Sequence, residues 1–233
     1  MERQTKHCTY CGKLNPETVD HIPPVCLFPK PRPSDLVTVP CCFSCNKGSS
    51  KDDEYFKLTF VIRQDVGDQP AGQKLLSSTL RGLENPRKRG MLRALIRNMG
   101  RNAVHSPSGL YLGISPTFNV DLERLGRVTN RIVRGLFYKE FDRRLPESHD
   151  VQSFAESGLR HLNVDLLTTV RSMAGILKSG PPRMIGDGIF EYWYQATAED
   201  SNTSVWLLRF FASESFLCLT ASRNRKPPVP RPF

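Results

Sequence analysis

Four of the seven cysteines in this 233-residue chain form two pairs, Cys8-Thr-Tyr-Cys11 and Cys42-Phe-Ser-Cys45. A two-residue spacer lets both sulfurs of a pair reach one ion, so the two pairs together predict a tetrahedral thiolate site. Zinc suits four soft donors with no redox task. The 30 residues between the pairs exceed the gap of a simple zinc ribbon, so folded structure is expected inside it. Cys41 competes with Cys42, but it leaves three residues before Cys45 and fits less well. Cys26 and Cys218 read as free thiols. This use of cysteine suits a reduced, cytoplasmic setting. The opening MERQTKHCTY has no apolar stretch of the signal-peptide kind, and no apolar run approaches the ~20 residues of a membrane span.

Inside the gap stands Val19-Asp20-His21-Ile22-Pro23-Pro24, and Asn46 follows Cys45 directly. The ordered set Cys-x-x-Cys, Asp-His, Cys-x-x-Cys-Asn resembles the layout of the zinc-carrying HNH (ββα-metal) nucleases over about residues 6–60. The resemblance implies Asp-His on one strand, a second strand, then a helix. It also implies an endonuclease that hydrolyses DNA phosphodiester bonds. His21, neutral near pH 7, would take the proton of the attacking water. Asp20 would help bind a catalytic divalent ion, Mg²⁺ by preference. Asn46 would brace the loop facing His21 through hydrogen bonds. Cys8, Cys11, Cys42 and Cys45 would hold a structural zinc in place of a core too small to form in fifty residues.

The sequence departs from the family at the third signature position. HNH proteins commonly place His or Asn eight or nine residues after the middle Asn, whereas Asp53 and Glu54 stand seven and eight residues after Asn46. Either carboxylate suits a hard cation. Acidic residues in a first helical turn are also favoured by the helix dipole, so both readings stand open. The competing function is a zinc-finger-type nucleic-acid-binding protein that does not cut. The Asp20-His21 pair separates the two, because pure binding does not need it.

The net charge of +10 becomes informative once it is located. Residues 1–56 and 145–233 each balance to zero, while residues 57–144 hold 17 basic and 7 acidic side chains. That concentration points to a polyanionic partner. The HNH resemblance implies that this is DNA, duplex by preference, and no base-reading motif is evident, so little sequence preference is expected. Arg89, Arg93, Arg97 and Arg101 recur every four residues, and Arg124, Arg127, Arg131 and Arg134 follow a 3-4-3 spacing. Each set marks one stripe of a predicted helix, and together they are the candidate phosphate grip. The competing reading is pairing with Glu123, Glu140 or Asp142 inside the protein.

An α+β chain is expected, in three parts. Residues 1–64 are the zinc-stapled ββα module, 65–145 a basic helical region, and 146–233 an α+β region ending in a Pro-rich tail. Extended pieces are predicted at Glu17–Ile22 and Leu36–Val39. Helices are predicted from about Ser50, over Pro86–Arg101, Asp121–Arg144, Asp150–His161 and Val164–Lys178, with a Gly/Pro/Ser-rich separator over His105–Phe118. Runs at 189–196, 205–211 and 216–220 predict a small antiparallel sheet. Phe190, Trp193, Trp206, Phe210 and Phe211 are read as its core. The last third is where a homodimer contact or protein partner would lie.

Overall fold

In the computed structural model the described residues are 6–83, 90, 93, 96–106, 108–161 and 163–224. Strands β1 (Thr18–Ile22) and β2 (Val37–Cys41) form an antiparallel pair in which Asp20 faces Val39 and His21 faces Thr38. Helix α1 (Phe43–Val61) follows immediately, capped by Cys42. It therefore starts inside the second cysteine pair, seven residues before the Ser50 start expected from local capping signals. The knuckle turn opens the helix. Gly48, Ser49 and Ser50, poor helix formers, are carried along because the packed end, Tyr55 to Val61, fixes the helix.

Two short helices, α2 (Gln64–Gly67) and α3 (Pro70–Leu83), come next. Half of the expected helix over Pro86–Arg101 lies outside the described residues, and its end is corrected. Arg101 sits on strand β3 (Met99–His105), which pairs antiparallel with β4 (Tyr111–Phe118). The stretch expected to be a separator is thus half of a β-hairpin turning through Ser106–Leu110. The β-branched and aromatic residues of Tyr111-Leu-Gly-Ile114 favour a strand, and pairing with β3 satisfies their backbone.

Helix α4 (Leu122–Phe141) begins at Asp121, whose side chain accepts from the Arg124 amide. It is the spine of the molecule, touching α1, β1, β2 and β5. Gly135 allows a close approach, since a Cβ there would lie 2.5 Å from Ile22 of β1.

The C-terminal sheet has five antiparallel strands in the order β5-β9-β8-β7-β6, spanning His149–Ala155, Glu214–Ser222, Ser204–Phe210, Phe190–Ala196 and Arg183–Ile185. The helix expected at Asp150–His161 is instead β5 followed by a 3-10 turn, Glu156–His161. Pairing along β9, from His149 with Ser222 to Ala155 with Phe216, overrides the weak local preference of Val151-Gln-Ser-Phe154. Helix α5 (Val164–Lys178) forms as expected.

Strand alternation sends Tyr192, Trp206 and Phe216 to the face shared with α1 and α4. It sends Trp193, Leu207 and Leu217 to the face covered by α5. The five aromatic residues expected in the core are all buried. The largest core takes Ile22 and Phe56, Val128 and Leu136, and Phe190 and Phe210 into one contiguous cluster, so all three sequence segments share it. Among the described residues no helix is long and apolar enough to cross a membrane.

Candidate metal centre and the carboxylate pair beside it

The first knuckle folds back on itself. The Gly12 amide donates to the Cys8 carbonyl at 2.9 Å, and Gly12 has φ +75°, a left-handed conformation that its missing Cβ makes accessible. The second knuckle runs from the end of β2 into α1, where the Asn46 amide donates to the Cys42 carbonyl at 3.1 Å. The Thr9 amide on the Pro40 carbonyl, at 2.9 Å, ties the two knuckles together.

The sulfurs of Cys8, Cys11, Cys42 and Cys45 then lie within 4.8 Å of one another. Tetrahedral zinc with Zn–S bonds of ~2.3 Å places its sulfurs ~3.8 Å apart, inside that limit, so the group can hold a structural metal such as zinc. The surroundings bias part of the set toward thiolate. The Ser44 hydroxyl and the Cys45 amide bring Cys42 down to about 6. Burial works against ionisation of Cys8, but amides of Cys11, Cys42 and Tyr10 outweigh it and leave Cys8 below its ordinary value. Cys41 is outside the group. Its thiol donates to the Cys42 carbonyl at 3.3 Å, and burial pushes it up to about 12. Cys26 and Cys218 are likewise pushed up to about 12 by burial, as inert thiols should be.

Beside this cluster, β1, α1 and α4 converge on three charged side chains. Arg131 of α4 donates from Nε to Asp20 Oδ2 at 2.7 Å and from Nη2 to Asp20 Oδ1 at 2.5 Å. Its Nη1 reaches both oxygens of Asp53, at 2.9 and 3.0 Å. The Tyr10 hydroxyl donates to Asp20 Oδ2 at 2.5 Å, and Ser49 Oγ to Asp53 Oδ2 at 3.3 Å. The side chains of Arg131, Asp20 and Asp53 are only 13, 6 and 14% exposed.

Burial opposes the charge on Arg131, but the hydrogen bonds and charges of Asp20 and Asp53 prevail and hold it more firmly protonated than in water. Burial, with the charge of Asp20 beside it, pushes Asp53 up against the pull of Arg131. Two carboxylates sharing one guanidinium leave the second with part of the cost. Tyr10 is raised by burial and then by Asp20, so it stays a hydroxyl donor.

Of the residues expected at the site, Asp20 and Asp53 are thus brought together. Glu54 is half-buried one position further round α1. Asn46 donates from Nδ2 to the Val19 carbonyl at 3.0 Å and to Thr18 Oγ1 at 3.2 Å, tying α1 to β1 next to Asp20-His21. His21 is half-buried, and alternation turns it to the opposite face of β1 from Asp20. Among the described residues its ring makes no hydrogen bond.

Whether Asp20 and Asp53 fit the divalent ion implied by the HNH resemblance is decided by their oxygens. All four accept hydrogen bonds, and a guanidinium lies between the two carboxylates. The arrangement does not fit an additional hard cation, which requires those lone pairs.

The second arginine stripe is engaged by neighbouring side chains and carbonyls, although Arg127 stays half exposed. Arg124 and Arg127 donate from Nε to Asp52 at 2.8 and 2.7 Å, and Arg127 also meets Glu123. Arg134 donates to Asn130 and to the His149 carbonyl. All four arginines of the α4 stripe thus have partners within the protein, which is the competing reading of that stripe. Arg93 and Arg97 are helical and exposed, Arg101 is exposed on β3, and Arg89 lies outside the described residues. Tyr10, Ser49 and Asp52 were not singled out from sequence. The available signal was the Asp52-Asp53 pair on one helix and a 3-4-3 arginine stripe on another, a complementary match that becomes visible only once α1 and α4 pack together.

No family model, no curated protein and no solved structure matches the chain.

Proposed function

We propose that this protein is an HNH-type endonuclease, acting on DNA phosphodiester bonds with His21 as the general base. The observation that carries the reading is the placement of Asp20-His21. The pair sits on the first strand of a ββα unit, next to a four-cysteine cluster, with Asn46 hydrogen-bonded to the same strand. An imidazole at a half-buried position suits proton removal from water. No step is assigned to a second metal. Charge on the phosphate would have to be met by guanidinium groups.

The Arg131 bridge favours one competing reading, a zinc-stapled module that binds nucleic acid and leaves it intact. Incubation of zinc-loaded protein with supercoiled plasmid separates the two. Under the nuclease reading, wild type nicks the plasmid and His21→Ala loses about 10²–10⁴-fold in rate with zinc content and DNA affinity intact. If wild type retards DNA but leaves it supercoiled, with or without added Mg²⁺, the binding reading replaces it.

A further inference from the structure

The geometry points to Arg131 as the resident cation of the Asp20–Asp53 centre: it does there the structural work of a divalent ion and keeps such an ion out. The inference does not depend on whether the module cuts.

Three observations carry it. First, the guanidinium is delivered by a fixed backbone. Arg131 lies one helical turn before Gly135, where α4 packs closely on β1 at Ile22, and its side chain is almost fully buried. Second, the contact is a planar match, which a point charge would not need. Nε and Nη2 form a fork on Asp20 while Nη1 takes Asp53, so one group joins β1, α1 and α4. Third, further acceptor capacity is taken up by Tyr10 on Asp20 and Ser49 on Asp53. A Mg²⁺ ion demands near-octahedral oxygen at ~2.1 Å and keeps several waters. It enters only if the guanidinium leaves, and the buried guanidinium would then lose both carboxylate partners. Nucleic-acid handling by this protein should therefore depend on zinc and not on a second metal.

The test is Mn²⁺ titration of the zinc-loaded full chain, followed by electron paramagnetic resonance. Wild type should show no Mn²⁺ site that Asp20→Asn removes. Arg131→Met, which keeps the stem and deletes the charge, should gain one Mn²⁺ at least about tenfold tighter than anything wild type binds. Adding Asp20→Asn to Arg131→Met should abolish the gain. If Arg131→Met does not fold, wild type and Asp20→Asn alone still decide, with melting temperature as a second readout. Wild-type melting that rises with Mn²⁺ in an Asp20-dependent way overturns the proposal. So does an Arg131→Met protein that folds, keeps its zinc and binds no Mn²⁺, because the pair is then not a cation centre at all.

Discussion

The four-cysteine cluster and the Asp20–Arg131–Asp53 triad share one hairpin and one helix, and they handle charge in opposite ways. The cysteines gather four soft donors whose sulfurs lie close enough together to hold a metal ion. The triad gathers two hard carboxylates and supplies its own cation from a helix more than seventy residues further along the chain. The first arrangement can hold a structural metal. The second makes the fold conditional on α4. A module that looks autonomous in sequence is thereby bound to the rest of the molecule, and the contiguous core running from Ile22 to Phe210 agrees with that dependence.

The largest expected effect tests the first half of the comparison. Purified protein should carry about one tightly bound zinc per chain. Cys8→Ser and Cys45→Ser should lose it and expose residues 6–60 to protease, because ion binding and folding are one event in such modules. Cys41→Ser should keep its zinc. Zinc-free wild type that resists protease here would break the contrast between the centres.

The second half predicts a smaller loss. Asp20→Ala leaves Arg131 buried beside one remaining carboxylate, and removal of one partner from a buried pair typically costs about 3–5 kcal/mol. Denaturant unfolding of the zinc-loaded protein measures it. The combination Asp20→Asn with Arg131→Met should cost less than the sum of the two single losses, since both members of that pair go together and only Asp53 is left without its partner. A double mutant as unstable as the sum of its parts would show that the two residues act separately.

Legibility in the sequence followed the range of the forces involved. The cysteine cluster was readable because ligand spacing is local and ion chemistry restricts it to few solutions. The strands at 18–22 and 37–41, the α4 and α5 helices and the aromatic strands were readable from their periodicity. Strand β5 was not, since Val151-Gln-Ser-Phe154 becomes a strand only by pairing with β9. The β3–β4 hairpin was hidden by its Gly, Pro and Ser residues, which suggested a loop although they also serve a turn. Arg131 was visible as a member of a basic stripe, but its partners were not. Asp20 is 111 residues away in sequence and Asp53 is 78, and no spacing rule connects them.

The smallest effects compare two sets of arginines that the sequence presents alike. Arg93 and Arg97 are exposed and form no ion pair among the described residues, whereas Arg124 and Arg127 are paired with Asp52. Arg93→Ala with Arg97→Ala should weaken binding to all DNA sequences and flatten the slope of log affinity against log salt by roughly two, one for each lost phosphate contact. Arg124→Ala with Arg127→Ala should leave that slope unchanged and act on stability instead, by on the order of 0.2–1 kcal/mol per pair at this partly exposed position. The stability effect should also depend on pH. The hydrogen bond from Arg127, followed by that from Arg124, holds the Asp52 carboxyl below its ordinary value despite partial burial. The pairing therefore stabilises fully above the unfolded carboxylate value of ~4 and fades as pH falls through the lower folded value. Asp52→Asn should remove that part of the acid sensitivity. If the Arg124/Arg127 double mutant instead flattens the salt slope as much as the Arg93/Arg97 one, the Asp52 pairs open on DNA, and the α4 ridge belongs to the footprint after all.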